Sequence, residues 1–168
     1  MMKTVNGDEL WLRGYHAENE GKLRSAFRLF LAAAKAGSDN GESHLAYCYD
    51  VGIGVKANRA KALYWYRRAY RHGVAHAANN IGTMFRDEHN VPRALEWFQR
   101  AVDMGFESSH LEIAKLYLTQ GNTHGENANQ AILHLKRVLR SKHCIEPEKK
   151  EARQLLKQVG KVHPNRLT

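Results

Sequence analysis

Residues 45–73 run Leu45, Ala46, Tyr47, Cys48, Tyr49, Asp50, Val51, Gly52, Ile53, Gly54 and Val55, then Lys56 to Lys61. They end with Ala62, Leu63, Tyr64, Trp65, Tyr66, Arg67, Arg68, Ala69, Tyr70, Arg71, His72 and Gly73. Ala62, Leu63, Tyr66, Ala69 and Tyr70 fall at i, i+1, i+4, i+7 and i+8, the apolar stripe of an amphipathic helix. The stripe recurs without a gap as Ala26, Phe27, Phe30, Ala33 and Ala34, and as Ala94, Leu95, Phe98, Ala101 and Val102. A fourth copy is Ala131, Ile132, Leu135, Val138 and Leu139, so the leading residues lie 36, 32 and 37 apart. A shorter pattern precedes each stripe: an aliphatic residue, a small one, then an aromatic one turn later. It reads Leu45, Ala46, Tyr49; Ile81, Gly82, Phe85; and Ile113, Ala114, Tyr117, with Gly14 and Ala17 as a weaker first copy. Periods of this length mark repeat architectures in which each unit is one supersecondary element. Each unit is predicted to be a shorter helix A, whose small residue permits close approach, and a helix B carrying the long stripe.

Turn residues support the parse. Gly37, Gly73 and Gly105 follow their stripes by three or four residues, where a left-handed helix end calls for glycine. Asn58 and Asn127 stand where helix B should begin, as N-caps, and Pro92 suits a first turn. The fourth unit carries Gly121 and Gly125 in a polar loop, and residues from Glu146, with Pro147, to Val159 read as a final helix turning Ala152, Leu155, Leu156 and Val159 inward. The expected organisation is a single repeat domain over 1–168. Its repeats fall near 8–37, 41–73, 75–105 and 108–142, and a capping helix near 146–160.

Leu45, Ala46, Tyr49, Gly52, Gly54 and Val55, followed by Lys61, Ala62, Tyr66, Ala69 and Gly73, resemble a Sel1-like repeat. The units with the shorter connection are similar to its relative, the tetratricopeptide repeat. The resemblance covers about residues 8 to 142. It implies an all-α, right-handed α-solenoid of about four antiparallel helix-turn-helix repeats closed by the C-terminal helix. The Gly52-x-Gly54 turn then has a structural job and is not a phosphate loop.

The resemblance also implies a concave wall made by positions three before, one after and four after each small residue. These are Trp11, Tyr15 and Glu18; Ser43, Tyr47 and Asp50; Asn79, Thr83 and Arg86; and Leu111, Lys115 and Leu118. Trp11, Tyr15 and Tyr47 are of the type enriched at binding hot spots, and Asn79, Thr83 and Arg86 can bond a peptide main chain or a carboxylate. For Trp11 a second role, capping the first hairpin, stays open.

Charge and composition narrow the partner. The chain has 168 residues, 26 Lys and Arg against 17 Asp and Glu, a net charge of +9 and 43% hydrophobic residues. A positive field biases binding toward acidic partners. Helix B would display a basic surface of Arg67, Arg68, Arg71, Arg100, Arg137 and Arg140. The net charge is +4 over 42–73 and over 142–168 but −1 over 74–105, so it is not the continuous stripe that nucleic acid prefers. No apolar run approaches a membrane span. The polar, acidic N-terminus does not read as a signal peptide, and Cys48 and Cys144 form no disulfide framework. A cytoplasmic chain with free thiols is expected.

Catalytic motifs are missing. His44 and Cys48 share a helical face, but no acid or amide is placed to orient the imidazole. Asp87, Glu88 and His89 lack the further ligands a metal needs, and no cofactor motif appears. The sequence therefore reads as a non-enzymatic protein-interaction module with no cofactor and no metal. Its partner is another protein, acidic in character: an adaptor client or, as the resemblance allows, the cognate toxin of a bacterial immunity protein. The alternative is a basic α-solenoid that binds RNA or another polyanion.

Overall fold

The computed structural model describes residues 6–119 and 125–162. The N-terminal residues 1–5 read against a signal peptide, and Gly121, lie outside the described residues. Among those described the chain forms nine α-helices and no strand: α1 (Gly7–Asn19), α2 (Leu23–Lys35), α3 (Asp39–Val51), α4 (Arg59–Arg71), α5 (Ala75–Asp87), α6 (Val91–Asp103), α7 (Ser109–Thr119), α8 (Glu126–Arg140) and α9 (Glu146–Val162). The odd-numbered helices α1 to α7 are the A helices of the sequence repeats, and the even-numbered α2 to α8 are the B helices. By their contacts the residues fall into two compact units, Met1–Ile81 and Gly82–Thr168.

In the first unit α1 packs on α2, α2 on α3 and α3 on α4, and α1 also meets α3. The repeated stripe makes this possible, for Ala26, Phe30, Ala33, Ala62, Tyr66 and Ala69 are all fully buried. Each large side chain so removed from water contributes roughly 1.5–3 kcal/mol. The small residue on α1 earns its place sterically: a Cβ on Gly14 would stand 2.7 Å from the Phe30 ring. Asn58 Oδ1 accepts from the Lys61 amide and caps α4 as expected. The Gly52-x-Gly54 turn is structural. Gly52 ends α3 in the left-handed region at φ 84°, and a Cβ on Gly54 would collide with the Leu23 carbonyl at the start of α2.

In the second unit α6 packs on α7, α7 on α8 and α8 on α9. Ala94, Phe98, Ala101, Ala131, Leu135 and Val138 are fully buried, and Gly82 lies against Phe98 as Gly14 lies against Phe30. Pro92 occupies the first turn of α6. Asn127 is a correction: α8 begins at Glu126 with Gly125 as its N-cap, at φ 79°. Gly125 makes no side-chain cap bond, and the earlier start leaves Asn127 inside the first turn. Ala152, Leu155 and Leu156 of α9 pack with Leu111, Ala114, Leu135, Val138 and Cys144, so the last stripe is covered.

Candidate functional site

Burial separates the three positions assigned to the inner wall. One residue after the small residue, Tyr15 and Tyr47 are each 43% exposed, and Thr83 and Lys115 are half-buried. Four residues after it, Glu18, Asp50, Arg86 and Leu118 are half-buried. Three residues before it the chain turns inward: Ser43 and Leu111 are buried and Trp11 and Asn79 half-buried. That corrects the expectation that Ser43 and Leu111 line an open wall. The neighbouring A helix explains Ser43, whose Oγ lies 2.7 Å from Nε2 of His76 on α5, while Leu111 belongs to the core under α9.

In the first unit an aromatic cluster forms around His44. Trp11 Nε1 donates to His44 Nδ1 at 2.9 Å. An indole N–H can only donate, so Nδ1 is the accepting nitrogen in that bond. The Trp11 ring lies 5.5 Å from His44 and 6.2 Å from Tyr15, and Phe30 supports His44 from within at 5.1 Å. Beside the cluster lies a cleft of about 110 Å³ lined by Ser43, His44, Tyr47, His76 and Asn80. Burial, then the charge of His44, holds His76 below its ordinary pKa, so the cleft wall favours a neutral imidazole. Trp11 thus bonds the ring that lines the cleft, and Tyr15 and Tyr47 stand exposed next to it.

The second unit places Thr83, Arg86 and Lys115 differently. Arg86 donates to Glu112 at 2.5 Å and to Asp87 at 3.0 Å, and Lys115 pairs with Glu112 at 3.0 Å and Glu151 at 2.8 Å. Both cations thus hold carboxylates of their own chain. Part-exposed pairs of this kind contribute about 1 kcal/mol or less each. They border a cleft of about 530 Å³ that Asp87, His89, Val91, Leu116 and Thr119 complete.

The basic surface is also broken up. Arg68 pairs with Glu42 at 2.7 Å, and Arg100 pairs with Glu96 and stacks on Trp97. Arg67, Arg71, Arg137 and Arg140 are exposed, the last two on the wall of a cleft of about 230 Å³ with Glu107, His110 and Ser141. Arg68 and Arg100, committed to carboxylates, offer a polyanion fewer of the phosphate contacts that drive its binding. The thiol–imidazole pair is no better placed for chemistry. Cys48 is 1% exposed, and burial, helped by Glu18, pushes its thiol up to about 12. A reactive cysteine needs the opposite.

Two buried polar groups escaped the sequence reading. Four residues before the small residue, Leu10, Glu42, Ala78 and His110 share one slot. Glu42 is fully buried there, and His110 Nδ1 lies 2.9 Å from Nδ1 of buried His134. The signal was available: a Glu and a His stand in register with Leu and Ala. Among the described residues no helix is long and apolar enough to cross a membrane.

Comparison with known proteins follows the same repeats. A family model described as Sel1 repeat matches residues 20–38, 41–74 and 75–106, together half of the chain. A sel1-like repeat-containing protein, L21, of Acanthamoeba polyphaga mimivirus is 26% identical over 77 residues, covering 46% of this chain and 14% of its own. Chitin synthase regulatory factor 3 of Schizosaccharomyces pombe is 30% identical over 103 residues, 56% of this chain and 11% of its own. The chain therefore spans only a small part of these relatives. A Sel1 repeat protein from Oxalobacter formigenes superposes with a TM-score of 0.64 at 27% identity, over 79% of this chain and 55% of that one. A protective antigen present in uropathogenic Escherichia coli strains, displaying an SLR fold, superposes at 0.69 with 19% identity, over 95% and 39%. That likeness concerns the fold alone.

Proposed function

The chain belongs to the Sel1 repeat family, and on that premise we propose that it binds another protein through the face of α1 and α3 that carries Tyr15 and Tyr47, without catalysing a reaction. Sel1 repeat proteins are generally non-catalytic protein-interaction scaffolds. One observation supports this face over the others: two exposed tyrosines at the same repeat position flank His44, which Trp11 holds in place beside a cleft. Stiff aromatic side chains with polar tips give large contact area at low entropic cost. Asn79, half-buried on α5, extends the contact in the same unit. Thr83, Arg86 and Lys115 form a separate polar contact in the second unit, where a partner carboxylate exchanges with Glu112.

The partner is acidic. A net charge of +9 with Arg67 and Arg71 in solvent steers a negatively charged protein toward the chain and raises its association rate. Neutralising a toxin, as an immunity protein does, is the narrower form of the same activity, and serving as an adaptor is the broader one. The two differ in whether the bound partner keeps its own activity. Tyr47→Ala tests the proposal. It removes an exposed ring, leaves helicity and melting unchanged, and weakens partner capture by roughly 30-fold, the worth of a hot-spot aromatic at about 2 kcal/mol. Equal capture by the variant would refute it.

A further inference from the structure

Where α3 begins and α4 ends, three side chains bring lone pairs together. Asp39 and Glu42 lie in the first turn of α3, and His72 is the residue that closes α4. His72 Nδ1 stands 3.0 Å from Asp39 Oδ1 and 3.1 Å from Glu42 Oε2. One ligand atom from each of the three lies within 4.8 Å of the others. Donors about 2.0–2.2 Å from a tetrahedral ion stand a little over 3 Å apart, and one imidazole with two carboxylates is a set that zinc-class ions accept.

A second observation points the same way. The Glu42 side chain is fully buried, yet neither of its carboxylate oxygens accepts a well-aligned hydrogen bond. Arg68 lies beside Oε1 and supplies charge from one side, while Oε2 turns toward His72 and Asp39. Burial pushes the Glu42 carboxyl up even beside Arg68 and His72, so holding it ionised is costly, and a cation against Oε2 would offset that cost. The rim is open, because the Asp39 and His72 side chains are 49% and 43% exposed, which gives an ion a path from solvent.

We propose that Asp39, Glu42 and His72 form a three-ligand site for a zinc-class divalent cation, with water completing the shell, that clamps the start of α3 to the end of α4. The competing occupant is a hydrogen on His72 Nδ1 shared between the two carboxylates. The full chain is titrated at neutral pH with Zn²⁺ by calorimetry and with Co²⁺ by visible absorption. One equivalent of each binds, and Zn²⁺ raises the melting temperature. Asp39→Asn and His72→Ala, both at exposed positions, keep their helicity and weaken binding about tenfold or more. His89→Ala, outside the cluster, leaves binding unchanged. Absence of binding, with melting indifferent to Zn²⁺, would assign the position to the hydrogen and overturn the proposal. Equal affinity in wild type and both ligand variants would place the metal elsewhere and overturn it too.

Discussion

Acid should loosen the second unit through one pair of rings. His134 is 6% exposed, and its Nδ1 meets Nδ1 of His110 at 2.9 Å. Burial, then the charges of His110 and Arg137, lowers its pKa from 6.5 to about 4. Burial, then Arg137, lowers His110 as well, with Glu107 opposing. Both rings thus stay neutral in the folded chain at a pH where the unfolded chain already takes up protons. The unfolded state then binds more protons, so stability is full above about pH 6.5 and falls as pH falls toward about 4. At about 1.4 kcal/mol for each pH step, His134 alone accounts for about 3 kcal/mol over that window. His134→Asn keeps a polar group facing His110 but cannot take the proton. Urea unfolding followed by circular dichroism at about pH 7.5 and about pH 4.5 should show wild type losing about 2–3 kcal/mol more than the variant. Parallel losses in the two proteins would refute the reasoning.

Other expectations follow from packing and burial. Gly82→Ala places a Cβ 2.7 Å from the Phe98 ring and should destabilise by about 1–3 kcal/mol, read as a lower urea midpoint. Phe98→Ala empties a fully buried site and should cost about 3–5 kcal/mol. A thiol reagent should leave buried Cys48 unmodified in the native chain and label it once urea unfolds the protein. Fast labelling under native conditions would contradict its burial and its raised pKa. Partner association should slow as salt rises, while dissociation changes little, if charge steers the encounter.

The repeats were legible because the same five-residue stripe returns four times with its spacing intact, and burial of one face of helix B demands that spacing. Helix bounds follow: α4 and α6 begin within a residue or two of Asn58 and Pro92, and Gly37, Gly73 and Gly105 all adopt positive φ just past a helix end. Asn127 misled because the chain turns at Gly125, at positive φ, and the helix already begins at Glu126. The site was legible in part. Tyr15 and Tyr47 are exposed as their register implies, but Ser43 and Leu111 point inward because the adjoining A helix and α9 cover them. Arg68 looked like one cation of an outer ridge. Its partner, Glu42, lies 26 residues away on another helix, a pairing that only the packed hairpin creates. The Trp11–His44 and His110–His134 bonds, between residues 33 and 24 apart, were hidden for the same reason.

The most direct measurement places a photo-crosslinking phenylalanine analogue at position 15, 47 or 64, one at a time, and identifies the proteins joined to each. The account predicts that the same partner is captured from positions 15 and 47 and not from position 64, where Tyr64 is more open to solvent, at 56%, but lies on helix B. A partner captured from position 64 and from neither of the others would contradict it.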